Sequence, residues 1–126
     1  SPQEFLDIFE EVKKKQEILI CLSLSSKLSG TYQSACLAKD MVDYENIYIV
    51  DTLTAAAGIR LLCEVAMNWI DENRSVESIV SGLEELKERV HIYAGLDTLE
   101  YLAKGGRISK TAATIGTLGL LVKHVV

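Results

Sequence analysis

The sequence has a single proline and only eight glycines among its 126 residues, which excludes collagen-like, linker-like and low-complexity chains. Cysteine is sparse: Cys21, Cys36 and Cys63 lie among apolar neighbours, and none forms a CxxC pair. Neither a disulfide framework nor a zinc site is indicated, and three buried thiols in a reducing cytoplasm are the expected state. No apolar run reaches the roughly 18 residues of a membrane-spanning helix, and no signal-peptide pattern opens the chain. The longest apolar run, Ile115 to Val122, is already broken by Gly and Thr. A basic excess is missing too. Thirteen Lys and Arg face eighteen Asp and Glu, a net charge of -5, which is a poor footprint for nucleic acid.

Familiar catalytic signatures are equally scarce. There is no GxGxxG after any expected strand and no GxxxxGK[ST] phosphate loop. His91 and His124 have no Ser or Cys at a motif spacing, so a nucleophilic triad is unsupported. Glu84, Glu85, Lys87, Glu88 and Arg89 read as a salt-bridged solvated face, with Glu85 and Arg89 four residues apart. No enzyme, metal or cofactor is implied. What remains is a composition of 48% hydrophobic and 25% charged residues, that of one soluble domain.

Its periodicities alternate between helix and strand. Phe5, Ile8, Phe9 and Val12 recur at helical spacing, preceded by Ser1, Pro2 and Glu4 in the pattern of a capping box. Glu17 to Leu24 reads as a buried strand, and Thr31 to Val42 as a helix burying Ala35, Leu37, Ala38 and Met41. Ile47 to Val50 is a second strand. A helix over about residues 54–72 is apolar almost all round, as for an element buried on several faces or packed on a partner. Ser75 opens a further helix with Ile79, Val80, Leu83 and Leu86 on one stripe. Val90 to Leu96 reads as a third strand, Ser109 to Leu118 as a last helix, and the apolar end from Leu120 as one more strand. The fold class expected is α/β, a mostly parallel sheet flanked by helices. The chain starts without methionine and stops within an apolar stretch, so an incomplete domain, a piece of something longer, is expected.

Ligands of parallel sheets bind beyond the carboxyl ends of the strands, where loops enter helix N-termini. The richest such loop here carries Ser23, Ser25, Ser26, Ser29 and Thr31, with Gly30 permitting close backbone approach. Hydroxyls and backbone N–H groups together suit a carboxylate or phosphate; the plainer alternative is that Ser29 caps the helix and the rest satisfy the turn. Asp51-Thr52 and Asp97-Thr98 stand at two other expected strand ends. Lys104-Gly105-Gly106-Arg107-Ile108-Ser109-Lys110 combines flexible backbone with three cations, suiting an anionic headgroup or acidic protein surface, or simply a solvated loop.

The runs LSLSSKLSGTYQSACLAKDM (22–41), VDTLTAAAG (50–58) and LDTLEYLAKGGRISK (96–110), in this order and spacing, resemble the DegV family. The resemblance implies a cytoplasmic bacterial protein of two α/β domains with the DegV/EDD-like fold, binding a long-chain fatty acid and presenting its carboxylate to a separate fatty acid kinase. On that reading residues 1–126 form one partial α/β domain, without the carboxy-terminal domain. Ser26 matches the family's carboxylate-binding serine, with Ser25, Gly30 and Thr31 as weaker partners in its loop. Arg107, beside Gly106, matches the arginine linked to the headgroup and kinase docking. Asp51, Thr52 and Asp97 are expected to support the site, and His124 does not match the family's site histidine. A phosphotransfer domain, and an interaction module whose truncated core self-associates, are the competing readings.

Overall fold

The structure is a computed structural model that describes residues 1–91 and 122–125. Pro2–Lys14 forms α1, with proline in the first turn and Lys13 and Lys14 in the last, where cations suit the helix dipole. The expected capping box is not made. Ser1 offers no side-chain cap, and its ammonium lies 3.6 Å from Glu4 Oε2 instead. Leu19–Ser23 is β1, Thr31–Val42 is α2 and Ile47–Asp51 is β2. Ala56–Asp71 is α3 and Val76–Leu86 is α4, whose N-cap Ser75 accepts a hydrogen bond from the Ser78 N–H at 3.2 Å. Val122–Val125 is β3. The expected strand at 90–96 is described only at Val90 and His91, which are not in a strand; its remainder, the helix at 109–118 and the Asp97-Thr98 pair lie outside the described residues.

The strands order β2-β1-β3. β1 pairs with β2 in parallel, Leu19 beside Ile47 and Ser23 beside Asp51. β3 runs antiparallel on the other side of β1, Leu19 beside Val125 and Leu22 beside Val122. An antiparallel member in an otherwise parallel α/β sheet is common where both faces are covered by helices.

All five residues of β1 are buried, because each face of the strand meets a helical layer. Leu19 and Cys21 join Phe5, Phe9 and Val12 of α1 and Ala35, Ala38 and Val42 of α2. Ile20 and Leu22 join Ile59, Leu62 and Ala66 of α3 and Ile79 and Leu83 of α4. The result is three layers, with α1 and α2 on one face of the sheet and α3 and α4 on the other.

Several expectations are corrected by this packing. α2 buries Ala35, Ala38 and Val42, whereas Leu37 and Met41 are 51% and 58% exposed. The helix is turned so that its small alanines approach the sheet and α1, which leaves the larger pair outside. α3 buries one face through Gly58, Ile59, Leu62 and Ala66, while Leu61 and Met67 are exposed. Cys21 is buried, but Cys36 and Cys63 are only half-buried. Glu85 and Arg89 do not pair. The helix tightens to a 3₁₀ turn over Lys87–Arg89, which removes the four-residue register, and Lys87 pairs with Glu84 at 2.9 Å.

Two substitutions test the packing. Phe9 is wholly buried between α1 and the sheet, so Phe9→Ala is expected to cost about 3–5 kcal/mol in denaturant unfolding. Ser75→Ala removes the only side-chain cap among the described helices and is expected to cost about 1 kcal/mol.

Candidate functional site

The carboxyl ends of β1 and β2 lie side by side, since Ser23 pairs with Asp51 in register. Two loops leave from there, residues 24–30 towards α2 and residues 52–55 towards α3. They are stitched together by short bonds. The Ser25 N–H donates to the Thr54 carbonyl at 2.9 Å, and the Thr52 hydroxyl donates to the Ser23 carbonyl at 2.7 Å. Asp51 Oδ1 accepts from the Ser26 N–H at 3.1 Å and from the Leu53 N–H at 3.2 Å. Asp51 and Thr52 therefore hold the two loops in register, the supporting role expected of them.

The hydroxyls of the first loop are not equivalent. Ser23 is buried and donates to the Val50 carbonyl at 3.2 Å. Ser25 is buried too, its Oγ accepting from the Lys27 N–H at 3.2 Å to close the turn. Ser29 Oγ accepts from the Thr31 N–H at 3.2 Å and lies 2.8 Å from Thr31 Oγ1. Ser29 thus serves the start of α2 without being its N-cap, a position Gly30 takes with no side chain to offer. Ser26 differs from all of them. It is half-buried, and its hydroxyl has no hydrogen-bond partner among the described residues. Its N–H is already occupied by Asp51, so the hydroxyl is what Ser26 has to give.

Gly30 has φ -80 and ψ 8, a conformation open to any residue, and a Cβ placed there would meet nothing within 4 Å. Neither backbone nor packing demands glycine, and the start of α2 is left open to approach. Tyr32 stands in that first turn, half-buried. Its phenol is raised from the usual 10.0 by a hydrogen bond with Cys36, then by burial, then by the negative charges of Cys36, Asp51 and Glu84. It stays a protonated donor across the physiological range.

The second loop contains what the sequence reading did not single out. Thr54 is 2% exposed and its Oγ1 has no hydrogen-bond partner among the described residues. Leu53 and Ala56, on either side, have φ of 58 and 38, left-handed values that non-glycine residues seldom adopt. The available signal was a second hydroxyl in VDTLTAAAG, at the start of an otherwise apolar helix. Of the other candidates, Ser25, Ser26, Gly30 and Thr31 share the first loop, whereas Gly106 and Arg107 lie outside the described residues. His91 is exposed and does not stand at the end of a described strand.

The profile of a family described as "Uncharacterised protein, DegV family" matches residues 1–125. A DegV domain-containing protein of Clostridium acetobutylicum is 41% identical over 118 residues, covering 94% of this chain and 42% of that protein. A solved DegV family protein of Thermus thermophilus, described by its fatty acid binding, superposes with a TM-score of 0.73 at 34% identity, over 86% of this chain and 38% of that one. A Thermotoga maritima structure said to reveal a fatty acid binding function gives a TM-score of 0.64 at 35% identity, over 70% of this chain and 32% of that one. The chain thus spans about two fifths of the length of the curated relative it matches. With the family profile matching residues 1–125 and a relative 41% identical over 118 residues, this chain belongs to the DegV family.

Proposed function

We propose that this chain forms one wall of a fatty-acid site, in which Ser26 donates its hydroxyl to the carboxylate. The observation that carries the reading is the Ser26 hydroxyl, which has no partner among the described residues, in a loop where Ser23, Ser25 and Ser29 each bond to backbone. The Asp51 bond to the Ser26 backbone fixes the residue while leaving its side chain available. Placing a donor in advance reduces the ordering that binding would otherwise require. Gly30 and the open first turn of α2 supply the approach, and the N-terminal end of the helix favours negative charge. Ser25 and Thr31 act mainly by shaping the loop.

The fatty-acid descriptions of the Thermus and Thermotoga relatives support the substrate class. The function proposed is that of a carrier rather than a catalyst: the acyl chain is sequestered and its carboxylate offered to a separate fatty acid kinase in the cytoplasm. Arg107 and Gly106 are assigned to kinase docking on the family resemblance alone. An interaction module is less well supported. Leu37 and Met41 stand on α2 and Leu61 and Met67 on α3, in opposite layers, so they do not join into one apolar patch.

Ser26→Ala, made in the protein expressed from its complete gene, tests the assignment. Palmitate affinity after delipidation is expected to fall about tenfold, with unfolding stability changed by less than about 0.5 kcal/mol. Unchanged affinity would remove Ser26 from the site.

A further inference from the structure

The Thr54 side chain is a buried polar group for which the fold itself gives no account. Its backbone is fully engaged: the N–H donates to Thr52 Oγ1 at 3.3 Å, and the carbonyl accepts from the Ser25 N–H at 2.9 Å. Those two bonds pin Thr54 directly beside the Ser25-Ser26 segment. The hydroxyl alone is left over, buried and without a partner among the described residues. Buried hydroxyls in folded proteins are nearly always satisfied, and an exception calls for a physical reason. Valine has the same shape and would fill the space without the penalty of a desolvated O–H.

The surrounding backbone points the same way. Leu53 and Ala56 hold left-handed conformations within one residue before and two residues after Thr54. A loop relaxed for its own sake would place glycine or asparagine there. Strain on both sides and an unmet hydroxyl in the middle are features of a segment shaped for something outside itself. A carboxylate bound at Ser26, on the loop whose Ser25 N–H bonds to the Thr54 carbonyl, would meet that need.

We infer that Thr54 supplies a second hydroxyl to the ligand head held by Ser26, so that the carboxylate is gripped from the β1–α2 and β2–α3 loops together. This rests on the carboxylate-site reading of the Ser26 loop. A carboxylate has two oxygens with several acceptor positions, and two hydroxyl donors from separate loops hold both its place and its orientation. The two loops are already fixed to each other through Asp51 and Thr52, so the backbone segments that carry the two hydroxyls are held together before the ligand arrives.

The test uses the protein expressed from its complete gene, delipidated, with palmitate as the probe in titration calorimetry and thermal unfolding as the second reading. Thr54→Val is expected to weaken palmitate about tenfold while leaving the ligand-free melting temperature equal or higher, because the unmet hydroxyl is gone. Thr54→Ser, which keeps the hydroxyl and loses the methyl, is expected to retain affinity. If Thr54→Val binds as tightly as the parent while Ser26→Ala is weakened, Thr54 only packs, and the inference falls with the site reading intact. Equal losses for Thr54→Val and Thr54→Ser would also overturn it, since the methyl and not the hydroxyl would then matter. Parental affinity in both Thr54→Val and Ser26→Ala would remove the Ser26 site itself, and the inference with it.

Discussion

Burial of β1 on both faces is the constraint from which the rest follows. Leu19 and Cys21 are committed to the α1–α2 layer, and Ile20 and Leu22 to the α3–α4 layer, so a one-residue slip would exchange the two sets. That fixes where the strand stops. Ser23 is the last residue of the strand, and the chain turns into the loop from there. With β2 parallel and in register, its own end at Asp51 arrives beside Ser23. Two loops and two helix N-termini are thereby brought to one edge. The proposed site is a consequence of sheet register more than of any single motif.

At that edge, the distribution of hydrogen bonds separates structure from availability. Asp51 and Thr52 use acceptor and donor atoms to join the loops, and Ser23, Ser25 and Ser29 serve backbone groups. Polar groups with good partners rigidify a site, whereas polar groups without them define where a ligand would be rewarded. Among the described residues of these loops, the Ser26 hydroxyl, half-buried, and the Thr54 hydroxyl, buried, fall in the second class. The Tyr32 phenol at the start of α2 belongs with the first class, since its hydrogen bond is with Cys36.

Much of the architecture was legible because helical and strand periodicities are carried by large apolar residues. The bounds of α2 at Thr31 and Val42 were read directly, and β1 and β2 fell within a residue or two of their expected spans. The orientation of α2 was not, since Ala35 and Ala38 bury small surfaces and weigh little beside Leu37 and Met41. Their value lies in close helix approach, which hydrophobicity does not record. The serine loop was visible as an accumulation of hydroxyls. Which of them is available could not be read from spacing, because it depends on partners from β2 some 25 residues away, as in the Ser26–Asp51 bond. Thr54 escaped notice for the same reason: a threonine before a helix reads as a cap until its bonds are counted.

The most direct measurement is mass spectrometry of a denaturing extract from the purified protein, expressed from its complete gene. The account predicts a long-chain fatty acid at about one per protein molecule. A protein that yields no fatty acid as purified, and none after incubation with palmitate and removal of excess, would contradict it.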